Sequence, residues 1–386
     1  MFPKSAFVLF LLFPVFAADS VPPAPGLTVH EWGTFTSVAG ESGAPVSWAS
    51  LAAPSDLPCF VYRLRASCVK CNATSTVRME TPVLYFYASR PTTVSVHVDL
   101  PSGVITEWYP KASGVPKDVT YGADGKLDWG PIEVMPGAAP EFPNDGSDSH
   151  YYPARNTDSA ALRVGEEQEK LLFYRGVAEQ GVSLEAQMLG NDRLRLRNSG
   201  SGSIPFAVVF ENRAGRSGYR LVRDLRAPVS VEFPELTADV AALHRDLASA
   251  LTEAGLFPKE AAAMIDTWRD SWFTEGMRVF YILPRPAVDG VLPLKITPAP
   301  ASTVRAFVGR VELLSPAMQE SLRKALASGD IATLSRCGRF LEPFTARLRG
   351  AYVSPAARAF LEGMRVQNSQ YRVAPCKEPP PLPTNQ

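Results

Sequence analysis

The stretch from Val77 to Pro110 has the clearest pattern of hydrophobic and polar positions in the chain. Val83 to Tyr87 is apolar at each position, which predicts a strand that is buried on both faces. Val94 to Leu100 alternates apolar and polar residues, which predicts a strand with one buried face. A turn at Pro101 to Gly103 then predicts that residues 104–109 return as the partner strand of a hairpin. We therefore expect an antiparallel sheet at this point in the chain.

Short strands separated by turn signals are predicted over the whole region from residue 27 to residue 235. Aromatic and β-branched residues mark these strands, and prolines and glycines are scattered between them. Besides those above, the predicted segments are 28–36, 58–65, 170–177, 182–189, 193–198, 204–211 and 219–225. Many short strands with frequent turns are typical of antiparallel sandwiches, so we expect one or two sandwiches in this region.

The pattern changes to a helical period near Pro234. Thr237 is expected to cap a helix with four apolar residues at helical spacing, and Pro258 is expected to open a second helix. Trp268 and Trp272 share the apolar face of that second helix, so we assign both side chains to the core.

Residues 236–366 combine helices and strands, and residues 367–386 form a proline-rich tail, whose last part, residues 376–386, cannot continue a helix. The predicted strands are 278–283 and 305–314, and the predicted helices lie near 317–326, 331–348 and 356–366. The expected fold class is therefore α+β. An amino-terminal antiparallel β-sandwich region, of one or two sandwiches, precedes a mixed helix-and-strand carboxy-terminal half.

The amino terminus has the pattern of a secretory signal peptide: Lys4, an apolar run from Phe7 to Phe16, and the small residue Ala17. We expect residues 1–17 to be the signal peptide and residues 18–26 to be an extended spacer. The apolar run is shorter than the roughly 20 residues that a membrane-spanning helix needs. The sequence thus predicts a soluble exported protein, periplasmic or extracellular, with no membrane span after removal of the signal.

Charge and motifs narrow the range of partners and cofactors. Lysine plus arginine equals aspartate plus glutamate at 39 each, and the sequence has no basic run, which disfavours nucleic acid as a partner. The sequence also has no P-loop, GxGxxG or haem-attachment motif, so no nucleotide, flavin or haem cofactor is indicated. A metal ion stays open as a cofactor, because ligands that converge from separate loops leave no sequence motif.

Five cysteines are candidates for disulfide bonds in an exported protein: Cys59, Cys68, Cys71, Cys337 and Cys376. A local structural bridge that involves Cys59 is favoured over a redox-active Cys68-x-x-Cys71 pair, because the CxxC lies in a polar loop. Cys337 and Cys376 form a second candidate pair. The odd count leaves at least one thiol without a partner inside the chain.

Four residues are candidate metal ligands: His30, Glu31, His97 and His150. A hydrolytic metal site needs about three such ligands that converge on one point. The sequence has no HExxH motif, and His30 and Glu31 point to opposite faces of a predicted strand. Solvated or packed histidines are the alternative. Glu80 and His150 are the candidate catalytic groups of such a hydrolase.

A second set contains the candidate binding residues: Arg78, Glu80, Tyr151, Tyr152 and Arg155. Arginines and tyrosines beside a carboxylate suit a groove for a sugar or a peptide. The structural alternative is an ion pair within one strand, accompanied by packed tyrosines.

Five stretches carry a resemblance to other proteins: HEWGTFTS, RMETPVLYFY, HYYPARNTD, LLFYRGV and TWRDSWF. With these stretches the chain resembles an uncharacterised family of exported bacterial proteins, over most of its length after the signal peptide. The resemblance implies a bacterial, exported protein, and it implies no activity, cofactor or site residue.

The function expected from the sequence is a non-catalytic binding or structural module of the cell envelope, with a glycan, a peptide or an envelope component as its partner. Secreted sandwiches are common binding scaffolds, although a fold alone does not define a function. The alternative is a metal- or carboxylate-dependent hydrolase that uses His30, Glu80 and His150. Convergence of these three side chains within about 5 Å would favour the hydrolase.

Overall fold

The computed structural model describes residues 24–51, 56–64, 74–114, 125–179 and 183–369. The predicted signal peptide, most of the predicted spacer and the tail beyond residue 369 lie outside these residues. Within the described ranges, no helix is both long enough and apolar enough to cross a membrane.

The elements confirm the predicted α+β class. The described strands are, in chain order, β1 (Ala24–Val38), β2 (Tyr62–Arg63), β3 (Val77–Ala88), β4 (Thr92–Leu100), β5 (Gly103–Tyr109), β6 (Gly125–Met135), β7 (Ala161–Val164), β8 (Glu167–Glu169), β9 (Leu172–Ala178), β10 (Leu184–Leu189), β11 (Arg193–Asn198), β12 (Ile204–Arg213), β13 (Arg216–Leu225), β14 (Val229–Glu232), β15 (Gly276–Ile282), β16 (Leu294–Thr297) and β17 (Pro300–Leu313). The described helices are α1 (Val240–Glu253), α2 (Pro258–Trp272), α3 (Arg285–Val291), α4 (Pro316–Ser328), α5 (Ile331–Arg336), α6 (Leu341–Ala346) and α7 (Pro355–Ser369). Two short 3₁₀ helices lie at Tyr152–Arg155 and Gly338–Phe340.

The described strands form three sheets. The largest has nine strands in the order β13-β12-β15-β17-β1-β3-β9-β5-β2, and the smaller sheets have the orders β16-β4-β6-β7-β8 and β10-β11-β14. Neighbouring strands pair antiparallel, except that β1 and β17 pair in parallel. β15 and β17 follow residue 235 in the chain, yet both lie in the middle of the large sheet. That sheet therefore combines strands from the predicted β-rich region with strands from the predicted mixed region.

One face of the nine-stranded sheet packs against the two smaller sheets as a sandwich. Val29, Leu84 and Phe307 of the large sheet share a buried cluster with Val96 of the five-stranded sheet and Leu194 of the three-stranded sheet. Full burial of side chains of this size is worth roughly 1.5–3 kcal/mol each. The predicted antiparallel sandwich is therefore present, although one central pairing is parallel.

The predicted hairpin between residues 94–100 and 104–109 is wrong. β4 pairs with β6 and β16 in the five-stranded sheet, whereas β5 pairs with β9 and β2 in the large sheet. The turn at 101–103 therefore carries the chain from one layer of the sandwich to the other. Val98 of β4 and Ile105 of β5 are buried in the core between the two layers. Both strands therefore bury their apolar residues although they do not pair with each other.

The opposite face of the nine-stranded sheet is covered by helices. Trp32 and Phe280 of the sheet pack against Leu247 of α1 and against Trp268 and Trp272 of α2. The two tryptophans are buried, as their spacing predicts. The carboxy-terminal helices form a further cluster on the same side, with members Val38, Trp48, Leu322, Leu341 and Phe344.

Proline and serine signals placed the helix starts correctly in three cases, because α2, α4 and α7 begin at Pro258, Pro316 and Pro355. The first helix differs: its cap is Asp239 rather than Thr237, since the Asp239 side chain accepts a hydrogen bond from the Ala241 amide at 3.0 Å. The single helix predicted over 331–348 consists of α5 and α6 with a 3₁₀ turn between them.

Candidate functional site

His30 is a buried anchor for the start of α2. Its Nδ1 lies 2.7 Å from Oε2 of Glu260, and Glu260 also accepts hydrogen bonds from the Tyr87 hydroxyl at 2.8 Å and the Phe257 amide at 2.7 Å. The Phe257 ring packs against the imidazole at a tilt, with a centroid distance of 4.5 Å. These contacts connect β1 and β3 to α2, so His30 has a packing role here.

Glu31 points to the opposite side of β1, into the sandwich core, as strand alternation predicts. It accepts hydrogen bonds from the Tyr174 hydroxyl and from Arg305, and Arg305 also pairs with Asp289 at 2.7 Å. Burial raises the pKa of Tyr174 well above its ordinary value, and the charge of Glu31 raises it further. Glu31 is thus the centre of a buried network that reaches the surface through Asp289.

His97 lies on the outer face of the five-stranded sheet, between two carboxylates. Its Nδ1 is 2.6 Å from Oδ1 of Asp128, and its Nε2 is 3.0 Å from Oδ2 of Asp99. The hydrogen bond to Asp128 is the main cause that raises the pKa of His97, together with the charge of Asp99.

The structure therefore does not bring the four candidate metal ligands together, because each side chain lies in a different network. Over the described ranges, no group of three or more histidine, cysteine, aspartate or glutamate side chains has an arrangement that could hold a metal ion.

Glu80 joins the large sheet to the carboxy-terminal helices. Arg339 donates to Oε1, Arg78 Nε lies 3.3 Å from the same oxygen, and the Thr36 hydroxyl donates to Oε2 at 2.8 Å. Burial raises the pKa of Glu80, but the charges of Arg339 and Arg78 lower it more, to about 2. Glu80 is thus held as a carboxylate with both oxygens occupied, which is the wrong state for a general acid.

Arg78 also belongs to this structural network. Its NH1 donates to the carbonyl oxygen of Ser50 at 2.6 Å, and burial lowers its pKa to about 10. The candidate pair Arg78 and Glu80 is therefore an ion pair within one strand, which is the structural alternative that the sequence left open.

Arg155 orders the long loop that precedes β7. Its guanidinium pairs with Glu169 at 2.6 Å and lies over the rings of Tyr151 and Tyr152, with centroid distances of 5.3 and 5.0 Å. The Tyr151 hydroxyl donates to the same carboxylate at 2.9 Å. The buried Tyr151 and the partly buried Arg155 thus support this loop. Tyr152 lies at its surface and donates its hydroxyl proton to Asp145 at 2.7 Å.

The five cysteines have three different outcomes. Cys59 is disulfide-bonded, and Cys68, Cys71 and Cys376 lie outside the described residues, so the pairing stays a prediction. Cys337 is a free, buried cysteine, so its assignment to a second disulfide is wrong. The α5–α6 turn places its sulfur 4.0 Å from the Met318 sulfur within the apolar helical cluster.

One open cleft brings several polar groups together, and we call it the His150 cleft. It has a volume of about 290 Å³. Its walls are the loop residues Asp148, His150, Tyr152 and Asn156 and the α2 residues Asp266, Arg269 and Asp270. The three α2 residues lie at positions i, i+3 and i+4, which places them on one face of the helix. That face is opposite the buried tryptophans, so the amphipathic pattern of α2 itself creates this wall.

A short hydrogen bond fixes the imidazole in the cleft. His150 Nδ1 lies 2.6 Å from the carbonyl oxygen of Thr267, and since a carbonyl oxygen only accepts, Nδ1 carries the proton. In the neutral ring, Nε2 is then the nitrogen with a free lone pair. The cleft also has three carboxylates (Asp148, Asp266, Asp270) against one guanidinium (Arg269), which gives it a negative potential.

Sequence reasoning named His150 and Tyr152 but missed the α2 half of the cleft. Asp266, Arg269 and Asp270 look like an ordinary solvated helix face, and their only signal was their position opposite Trp268 and Trp272. On the loop half, Asn156 was not among the candidate residues either.

Comparisons with known proteins give little further guidance. No protein-family model matches the chain, and no curated protein matches it. Among solved structures, the chain is similar to the Fcho1 Mu homology domain from Danio rerio with bound Eps15 peptide, with a TM-score of 0.30 and 7% identity. The match covers 77% of this chain and 100% of that chain, and at this TM-score it supports neither a fold assignment nor a function.

Proposed function

We propose that the protein is an exported, non-catalytic glycan-binding module of the bacterial cell envelope, and that the His150 cleft is its ligand site. The observation that carries the proposal is the composition of this cleft. It places carboxylate, amide, imidazole and guanidinium groups around one open space, beside the ring of Tyr152. Sugars present many hydroxyl groups and an apolar ring face, so they need such a mixture of acceptors, donors and one aromatic surface.

Rigid walls support this proposal, because a preorganised site loses less entropy when it binds. The α2 wall lies on a helix that is anchored at its start by Glu260 and packed through Trp268. The loop wall is held by Arg155 and by the hydrogen bond from His150 to Thr267.

The contacts of the candidate catalytic groups favour binding over hydrolysis. His30 pairs with Glu260, Glu80 lies between Arg78 and Arg339, and His150 faces the cleft without either of them. A shared catalytic centre would require these groups to act on one substrate atom.

Export and envelope location rest on two observations. The charged, apolar and small residues at positions 4–17 fit a secretory signal. The disulfide at Cys59 fits an oxidising compartment, where such bonds persist.

Three disaccharides of similar size and different charge test the proposal. Isothermal titration calorimetry should detect binding of chitobiose, which carries amines, and of neutral N,N′-diacetylchitobiose, with affinities of about millimolar or tighter. Digalacturonate should bind more weakly than both, because the negative cleft repels its carboxylates.

The variant pair Asp266→Asn and Asp270→Asn should reduce chitobiose affinity, whereas the exposed α4 variant Glu320→Gln should leave it unchanged. Equal binding by all of these proteins, or no binding of any disaccharide, would contradict the proposal. Release of new reducing ends during the titration would point to the hydrolase instead.

A further inference from the structure

A second cleft lies at another place in the fold, between the edge of the nine-stranded sheet and the three-stranded sheet. We call it the Glu211 cleft, and its volume is about 390 Å³. Glu211 of β12, Arg220 of β13 and Glu232 of β14 contribute polar groups, and Phe233 and Pro316 contribute apolar walls.

Glu211 differs from the other buried glutamates described in this chain. Its side chain is 6% exposed, and within the described residues its carboxylate makes no hydrogen bond; its nearest cation is Arg213 Nε at 3.8 Å, and Arg213 is itself half exposed. Glu31, Glu80, Glu169, Glu260 and Glu312 are also buried, and each receives at least one hydrogen bond from a side chain or an amide. The Glu211 oxygens are not among the fully enclosed polar atoms that lack a hydrogen-bond partner, so they face the open cleft. A carboxylate that is mostly buried but receives no hydrogen bond from the protein is unusual on physical grounds.

The start of α4 lines the same cleft but provides Glu211 with little hydrogen-bonding capacity. Pro316 at the first helical position has no N–H, and the Met318 amide donates to the Ser315 hydroxyl at 3.2 Å. Glu211 is therefore left facing the open volume rather than a protein donor.

The net negative charge of the Glu211 cleft favours a positively charged ligand. Its carboxylates are Asp192, Glu211, Glu232 and Glu235, and its guanidinium groups are Arg213 and Arg220. Glu232 already pairs with Arg193 at 3.2 Å and with Arg220 at 3.7 Å. An excess of carboxylates remains, with Glu211 as the buried one.

We propose that the Glu211 cleft binds the alkylammonium group of a lysine side chain or a similar amine. The ammonium group would donate to the Glu211 carboxylate, and the methylene stem would lie against Phe233 and Pro316. This arrangement satisfies the carboxylate and uses both kinds of wall in the cleft. The site is separate from the His150 cleft and does not depend on glycan binding there.

The pKa of the Glu211 carboxyl agrees with its lack of a hydrogen-bond donor. Burial raises the pKa of its carboxyl above the ordinary value, and the charge of Arg213 offsets this only in part. A raised pKa in a cleft is typical of groups that act on a ligand, although structural groups also show it.

Two matched probes test the inference on the full chain. Nα-acetyl-lysine N-methylamide carries the ammonium group, and Nα-acetyl-norleucine N-methylamide has a similar stem without the charge. By calorimetry or ligand-observed NMR, the lysine derivative should bind, and the norleucine derivative should bind at least about tenfold more weakly, because it lacks the charged donor.

Glu211→Gln should weaken the lysine derivative by about tenfold, the effect of losing one charged hydrogen bond. Glu133→Gln, an exposed strand position on the five-stranded sheet, should not change its affinity. Asp266→Asn should leave lysine binding intact and Glu211→Gln should leave the binding of neutral N,N′-diacetylchitobiose intact, so the two sites can fail independently. Equal binding of both probes to the wild-type chain, or unchanged lysine binding in Glu211→Gln, would overturn the inference.

Discussion

His150 Nδ1 lies 2.6 Å from the backbone carbonyl oxygen of Thr267, and this hydrogen bond joins the two walls of the His150 cleft. One partner belongs to the loop before β7 and the other to α2, residues that are 117 positions apart in the chain. The bond fixes both the distance between the walls and the proton position on the imidazole. The ring therefore presents Nε2 to the cleft as an acceptor when it is neutral.

The attachment of the carboxy-terminal helices gives a first prediction. Arg339→Ala should lower the free energy of unfolding by about 3 kcal/mol, because it leaves the buried Glu80 carboxylate with Arg78 as its remaining cationic partner. Chemical denaturation measures this loss. Arg336→Ala is the matched control, since the exposed pair with Glu275 at 3.6 Å is worth about 0–1 kcal/mol. Similar losses in both variants would contradict a buried role for Glu80.

The same pair predicts a dependence on pH. The folded-state pKa of Glu80 is about 2, below its ordinary value of 4.5, so its contribution to stability is present above 4.5 and is lost as pH falls towards 2. That contribution is about 3 kcal/mol at neutral pH. Acid unfolding followed by circular dichroism should show a smaller drop in stability for Arg339→Ala than for the wild-type chain. Identical acid profiles would show that Arg339 does not control this pKa.

Much of the fold could be predicted because local patterns and tertiary packing agree there. Val83 to Phe86 is buried on both faces, and Pro258 and Pro316 start helices as their chemistry requires. The parallel pairing of β1 with β17 could not be predicted, because these strands are more than 250 residues apart and either neighbour satisfies their apolar pattern. The corner at 101–103 shows the same ambiguity, since an alternating strand does not indicate which sheet it joins.

The sites were harder to predict than the fold for a related reason. Glu211 ends the predicted strand 204–211, which the structure extends to Arg213 as β12, but its inward orientation and lack of donors depend on the positions of β14 and α4. Asp266 and Asp270 become a cleft wall only because the loop at 148–156 packs on α2. His30 and Glu80 were candidates because of their side-chain chemistry. Their hydrogen-bond partners, Glu260 and Arg339, are distant in sequence, so the sequence did not indicate these contacts.

The close packing of Tyr281 on Gly309 predicts that this position does not tolerate a larger residue. A Cβ atom placed there would lie 2.0 Å from the Tyr281 ring, which packs across this residue from β15. Gly309→Ala should destabilise the fold by about 1–3 kcal/mol, the usual cost of overpacking a core. Gly290→Ala in α3 is the control, because nothing lies within 4 Å of its Cβ position. Equal midpoints of thermal unfolding for the two variants would contradict the packing described.

The isolated carboxyl of Glu211 predicts a stability gain on substitution. Its folded-state pKa is raised, so its ionisation costs stability as pH rises through that pKa, and no cost remains below its ordinary value of 4.5. Glu211→Gln should therefore unfold at a higher temperature than the wild-type chain at neutral pH, and the difference should shrink at about pH 4. Differential scanning calorimetry at the two pH values measures both effects. A lower stability at neutral pH would indicate a structural partner for Glu211.

The two carboxylates around His97 predict its titration behaviour. The pKa of His97 is raised above 6.5, first by the hydrogen bond to Asp128. Its stabilising contribution is therefore fully present below 6.5 and is lost as pH rises through the folded-state pKa. In NMR titrations, Asp128→Asn should return the His97 ring towards its ordinary pKa. An unchanged titration curve would contradict the pairing with Asp128.

The most direct test of the central claim uses the histidines as reporters. The chain has four histidines, at 30, 97, 150 and 244, and the first three lie in separate networks. With ring-labelled histidine at constant pH, titration with chitobiose should shift the His150 signals and leave His30, His97 and His244 in place. Binding that leaves the His150 ring unperturbed would show that the glycan does not bind in the His150 cleft.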